Sequence, residues 1–333
     1  MLSKPHATLI VTGYGLLGQA LTRIARSMGH EVRVISASDT GSSPSVWTSP
    51  TWLQRTIRPA TQGAGHLIHT AAMTSVLGCE REPRAAEVMN TEITEIISEL
   101  VTDVGLQMTF ISTDWVFDGK LGGYKESAPK GPINTYGMTK AVAEDSVLAN
   151  DGLVIRGSFI GSRPDGKVGL REILQADTAP RVGRDRRSNP LHVDVFARKV
   201  LELTLSGSAG VRHLGSATST NWTCLCSEAR FRMTGDPTIL PAIEDSVPRP
   251  YDTTLSTEHV LWQQDPPTIQ STIAEFCGEE PALLGGPGNP NASTSGRMDN
   301  LTPTHSGSAT RGRVQRTLRS KTSELGATHS NRI

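Results

Sequence analysis

The hexapeptide Gly13-Tyr14-Gly15-Leu16-Leu17-Gly18 stands between an unbroken apolar run, "ATLIVTG", and an amphipathic one, "LLGQALTRIARSMG". No other feature restricts the fold as much. The run over 7–13 reads as a strand buried on both faces, the pattern of a parallel sheet. The run over 16–29 puts Leu17, Ala20, Leu21, Ile24 and Met28 on one side of a helix and stops at Gly29. A strand that turns into a helix through this spacing uses Gly13 for the tight turn. Gly15 lets backbone approach a pyrophosphate, and Gly18 packs helix on strand. The helix N-terminus then offers unpaired N–H groups and the positive end of its dipole to phosphate. Tyr14, Leu16 and Leu17 complete that cofactor-binding turn. The competing reading is a packing turn without a ligand.

The alternation continues. Strands are expected at 31–36, 66–72, 107–113 and 152–158, with helices at 85–105 and 135–150. Strands alternating with helices predict an α/β fold, a doubly wound parallel sheet of Rossmann type. After Ser158 the rhythm loosens: a loop and then a helix from His192, a strand over 210–216, a helix over 225–235 closed by Gly235, and a last helix at "IAEFCGEE". This divides the chain into a dinucleotide-binding domain over 1–158, a smaller C-terminal substrate-binding lobe over 159–284 with returning Rossmann elements, and a tail over 285–333. The tail's Gly, Pro, Ser, Thr and Asn content predicts disorder.

The 33 basic and 33 acidic residues balance, so nothing in the charge calls for nucleic acid or an acidic membrane. The four cysteines form no CxxC and read as free thiols in a reducing compartment. His69 and His192 lie too far apart to suggest a metal pair, and no metal is expected. Met1–Pro5 carries no apolar leader, and no run approaches the roughly 20 residues a membrane helix needs. A cytoplasmic location is expected.

Three further stretches carry chemistry. The second strand ends Ser36-Ala37-Ser38, and the first acid is Asp39. An acid at Ser36 would hold a ribose 2′-hydroxyl. Small residues leave room for a 2′-phosphate that Arg33 or Arg26 could meet, so NADP (NADPH) is favoured over NAD. At the start of a helix, "YGMTK" puts Tyr136 and Lys140 one turn apart on one face. The ammonium should favour phenolate and draw the phenol down from about 10. A surface tyrosine with a solvated lysine is the alternative. "FISTDWVFDG" ends a strand at Thr113. In a doubly wound fold the carboxyl ends of the strands face the ligand crevice. Gly13–Gly18, "HTAAMTSV" (69–76), Thr113, Tyr136 and Lys140 should therefore converge. Thr113 would donate to a carbonyl oxygen that Tyr136 protonates. "RDRRSN" (184–189) reads equally as a diphosphate clamp or a solvated loop.

"VTGYGLLGQAL", "HTAAMTSVLGCEREPRAAEVMN", "FISTDWVFDGKLGGYKESAPKGPINTYGMTK", "VIRGS" and "RVGRDRRSNPLHVDVFA" occur in this order. With them the chain resembles the extended short-chain dehydrogenases/reductases, and within these the dTDP-4-dehydrorhamnose reductase-like family, over residues 7–280. The resemblance implies a catalytic set of Thr113, Tyr136 and Lys140, with Ala71 and Ala72 against the cofactor. It implies Thr74, Val76, Asp114, Trp115 and Phe159 along the substrate pocket. That family usually has tyrosine at Trp115, tryptophan at Phe159, often an acid at Leu77, and Gly-x-Pro-Thr near Arg187–Leu191. Related 4,6-dehydratases place Asp-Glu after the threonine. Here Asp114 precedes an indole, which stacks on a sugar or nucleotide but removes no proton, so reduction is favoured. Trp115 as a packed core residue is the alternative. The implied activity is NADPH-dependent reduction of a 4-keto nucleotide sugar, with a homodimer left open. Two other readings are a non-catalytic NADP-binding regulatory subunit, like the methionine adenosyltransferase beta subunit, and a nucleotide-sugar epimerase.

Overall fold

The apolar runs of the first half form β1 (Thr8–Thr12), β2 (Glu31–Ile35), β3 (His66–His69), β4 (Gln107–Ile111) and β5 (Leu153–Gly157). Between them lie α1 (Leu16–Ser27), α2 (Pro50–Ala60), α3 (Val76–Arg81), α4 (Pro83–Glu87), α5 (Ile93–Asp103) and α6 (Thr135–Ala149). The second half contributes β6 (Phe159–Ile160), α7 (Leu170–Leu174), β7 (Val182–Gly183), β8 (Arg187–Ser188) and β9 (Leu191–His192). It continues with α8 (Val193–Leu205), β10 (Gly210–Leu214), β11 (Thr220–Asn221), α9 (Trp222–Thr234), β12 (Ala242–Ile243) and α10 (Ile269–Cys277). The computed structural model describes residues 6–36, 50–162, 168–183, 186–243, 246–262 and 265–279. The expectations for Ala37 to Asp39, Arg184, Asp185 and the 285–333 tail lie outside the described residues.

Six strands pair in parallel in the order β2-β1-β3-β4-β5-β10. The expected doubly wound α/β sheet is therefore present. Both faces of β1 are buried. Leu9 and Val11 join α1 and α8 in one apolar cluster, which includes Leu21, Ile24, Phe196 and Val200. Ile10, between them, faces the other side with Leu67, Ile97, Phe110 and Val154. Strands so placed carry apolar residues without alternation. Leu174, Val182, Leu225, Ile273 and Phe276 belong to a third cluster in the second half.

The order reverses between β1 and β3, because the chain leaves β1 toward β2 and returns on the other side. Crevices open at such a point beyond the carboxyl ends of the strands. Register brings those ends level: Thr12 pairs with both Ile35 and His69, and His69 with Phe110.

Three local differences have physical causes. The helix expected over 85–105 runs as α4, one π turn over Val88–Glu92, then α5. The wide turn presents Asn90, whose side chain accepts from Met73 N at 2.7 Å and donates to Met73 O at 3.1 Å and Thr139 Oγ1 at 3.0 Å. It thereby ties the loop after β3 to α6. The helix α2 was not expected because prolines stand at both its ends, Pro50 and Pro59. α3 is too short to show a period, and Ser75 caps it by accepting from Gly78 N at 3.1 Å.

Candidate active site

The turn after β1 uses its three glycines for three reasons. Gly13 has φ 90°, and a Cβ there would lie 2.7 Å from Ala71 N. A Cβ on Gly18 would lie 2.3 Å from the Gly13 carbonyl oxygen. Gly15 is the opposite case, since a Cβ would meet nothing within 4 Å. It is the N-cap of α1 and supplies no side-chain cap to the first N–H groups of the helix. Tyr14 is 41% exposed beside them. Leu17 is buried in the core, and Leu16 packs against that cluster; both serve this turn through backbone. Gly13 N donates to Ile35 O at 2.8 Å, which sets the buried Ser36 next to the turn. Arg33 and Arg26, the two cations considered for a 2′-phosphate, are bonded to backbone in this structure. Arg33 donates to the carbonyls of Ala60 and Gln62, and Arg26 to that of Val32.

The loop after β3 closes over the same turn. Thr70 Oγ1 donates to Thr12 O at 2.8 Å, and Ala71 is the residue against Gly13. Ala72 and Val76 are half-buried and Thr74 is exposed. Beneath them His69 is fully buried, with Nδ1 2.6 Å from Thr12 Oγ1 and its ring stacked on Phe110. Burial pushes this imidazole down to about 3, with the Lys140 charge a lesser cause.

At the end of β4 the expected catalytic residues meet. Asn134 caps α6 by accepting from Gly137 N at 2.8 Å, so the helix starts beside this strand end. Lys140 is 2% exposed; its Nζ donates to Ile111 O at 2.7 Å and sits 3.8 Å above the Phe110 ring. Burial lowers its ammonium to about 7, against an upward pull from Glu144. The half-buried Tyr136 phenol is raised, not lowered, from its ordinary value. Burial is the main cause, the charge of Asp114 adds to it, and a hydrogen bond with Thr113 opposes it. The expected depression by Lys140 is therefore corrected: the phenol is raised, and the Lys140 ammonium, which donates to the Ile111 carbonyl, is not among the charges acting on it.

Thr113 also departs from expectation. Its Oγ1 donates to Asp114 Oδ1 at 3.1 Å and accepts from Trp115 N at 3.2 Å. Asp114 is 3% exposed, and its Oδ2 accepts from Thr253 Oγ1 at 2.5 Å. Burial raises this carboxyl, opposed first by Thr253. Trp115 lies edge-on to Tyr136, with ring centroids 6.2 Å apart. Arg186 and Arg249 stand over its ring at 5.2 Å and 5.6 Å, and Arg186 also covers Trp222 at 4.9 Å. Phe159 leans on Phe196 at 5.0 Å and packs on the first apolar cluster. Sequence reasoning missed Thr253 and Arg249, whose partners Asp114 and Trp115 lie more than a hundred residues away along the chain, and Trp222, which meets Arg186 only through the fold.

A buried network backs the strand end. Glu144 is fully buried and pairs with Arg156 through two hydrogen bonds, at 2.9 and 2.7 Å. Ser112 Oγ donates to the same carboxylate at 2.5 Å. The residue before Thr113 is thus tied to α6 and β5.

Chemically, the arrangement sets a proton-bearing phenol, a threonine hydroxyl and a lysine at the mouth of the sheet, two strands from the glycine turn. Among the described residues, no helix is long and apolar enough to cross a membrane.

The chain is similar to known proteins in sequence and in fold. The family model described as RmlD substrate binding domain matches residues 6–279. A dTDP-4-keto-6-deoxy-D-glucose reductase of Streptomyces niveus is 28% identical over 269 residues, 77% of this chain and 90% of that protein. A probable low-salt glycan biosynthesis reductase of Haloferax volcanii is 31% identical over 221 residues, 62% of this chain and 73% of that protein. The crystal structure of dTDP-4-dehydrorhamnose reductase from Bacillus anthracis in complex with NADP matches with TM-score 0.71 at 21% identity. It covers 82% of this chain and 99% of that one, a likeness of fold. With the sheet, the glycine turn and the model match in agreement, the chain belongs to the RmlD substrate binding domain family.

Proposed function

We propose that this protein is an NADPH-dependent reductase that converts the 4-keto group of a nucleotide sugar to an alcohol. The observation that carries the proposal is the meeting of Thr113, Tyr136 and Lys140 at the end of β4, two strands from the glycine turn.

The cofactor fit rests on the turn itself. Gly15 leaves space where Gly13 and Gly18 leave none, and the α1 N–H groups beside it lack a side-chain cap. Such an opening suits a pyrophosphate. Gly13 to Gly18, Ala71 and Ala72 would hold the dinucleotide, and Lys140 its ribose. The small Ser36 at the end of β2, with no acid there, supports NADP over NAD. When bound, the nicotinamide supplies the hydride.

Tyr136 donates its proton to the developing alkoxide. A phenol kept neutral by burial holds that proton until the oxygen becomes basic. Thr113 orients that phenol through their hydrogen bond, and Trp115 packs edge-on against it. The residues after Ser158 form the lobe that receives the nucleotide sugar, with Arg186 and Arg249 beside Trp115. Reduction is favoured over dehydration because the residue after Asp114 is an indole, which cannot abstract a proton.

NADPH oxidation measured over dTDP-, UDP- and GDP-4-keto sugars tests the proposal. Consumption with at least one of them is expected. No consumption with any, together with copurification of a partner enzyme, would favour a regulatory subunit instead.

A further inference from the structure

We propose that Thr253 is a positioning residue for the reduction: through the Asp114 carboxylate it fixes the hydroxyl of Thr113. The inference rests on the functional reading above and adds a residue to it.

The argument is an accounting of hydrogen bonds. A threonine hydroxyl has one proton and two lone pairs. Thr113 spends its proton on Asp114 Oδ1 and one lone pair on Trp115 N–H. The same hydroxyl acts on the Tyr136 phenol, opposing the phenol's upward shift. The rotor of Thr113 is therefore set by Asp114. Asp114 is itself fixed from its other oxygen, by Thr253 Oγ1 at 2.5 Å.

Thr253 is well placed to act as that anchor. It is 1% exposed, and its backbone N donates to Arg187 O at 3.0 Å. Its neighbours are pinned to the loop after Trp115: Asp252 N donates to Gly119 O at 2.9 Å, and Tyr124 N to Thr254 O at 2.9 Å. The hydroxyl thus arrives on rigid backbone from the second half of the chain. Without it, a buried carboxylate oxygen loses its donor. The carboxyl then turns or takes up a proton, and either change frees Thr113 from its present rotamer. The Arg186 guanidinium faces Asp114 electrostatically but does not replace a bond to Oδ2.

The test uses the full chain and a keto sugar that the parent reduces. Thr253→Val keeps the shape and removes the hydroxyl. Its kcat should fall about tenfold or more, the scale of one hydrogen bond to a charged group. KM and the NADPH Kd should stay within about twofold, since ground-state binding is untouched. Thr253→Ser should restore most of kcat, which a packing role would not allow. Parent kcat in Thr253→Val, or no rescue by Thr253→Ser, overturns the inference. If Thr253→Val does not fold, Thr253→Ala decides beside Thr253→Ser: a similar loss of kcat in the alanine variant alone supports the inference, and a parental value overturns it. A parent inactive on every keto sugar overturns the functional reading and this inference together; an active parent with an unaffected Thr253→Val overturns the inference alone.

Discussion

Lys140 keeps its charge at a cost. Its ammonium is buried on a carbonyl and an aromatic face, and burial brings it to about 7. The charged fraction falls as pH rises through that value. If the ammonium holds the cofactor ribose, NADPH affinity should weaken by about an order of magnitude between about pH 6 and about pH 9. Lys140→Met should bind weakly throughout and lose that dependence; titration of both proteins by NADPH fluorescence checks this. The identities of Thr113, Tyr136 and Lys140 were legible because all three lie in two short stretches whose periodicity places them at a strand end and on one helix face. The direction of the phenol's shift was not, because spacing carries no information about dielectric. Nor was Thr253, which reaches Asp114 across 139 residues.

Among the elements, the turn between β1 and α1 separates folding from binding. Gly18→Ala would set a methyl 2.3 Å from the Gly13 carbonyl oxygen. The helix must shift, and we expect a loss of about 1–3 kcal/mol of stability along with cofactor binding. Gly15→Ala meets no protein atom within 4 Å. It should melt within a degree or two of the parent yet bind NADPH at least about tenfold more weakly, because its methyl stands where the phosphates approach. Thermal melts beside Kd measurements on the two variants check the contrast. The strands of the sheet were readable as continuous apolar runs since both faces are covered. The paired segments of two residues, β6 to β9, β11 and β12, were not: they are set by tertiary contacts and carry no period of their own. The π turn was hidden likewise, because its cause is the bond from Asn90 to Met73 and Thr139 rather than helical propensity.

For the molecule as a whole, acid sensitivity should come from imidazoles buried neutral. Burial lowers His69 to about 3 and also lowers His213. The unfolded chain binds protons at these sites below its ordinary value of 6.5, where the folded chain does not. Stability is thus fully present above 6.5 and is lost progressively as pH falls from there toward 3. Urea midpoints at neutral pH and at about pH 5 should show the drop, and His69→Gln should show less of it. The change of rhythm after Ser158 was legible in the sequence, and there most strands shorten to two residues. Arg186 lay in the stretch "RDRRSN" already singled out; Arg249 and Thr253, through which the second half also reaches Trp115 and Asp114, were not legible, since loops of irregular length carry both. The central claim is that Tyr136 is the proton donor in a keto-sugar reduction. Tyr136→Phe tests it most directly, with kcat and the NADPH Kd measured on a substrate that the parent reduces. We expect the Kd to stay near the parent's, because the glycine turn and Lys140 are intact, and kcat to fall by about 10² or more. Turnover by Tyr136→Phe at the parent rate would contradict the assignment.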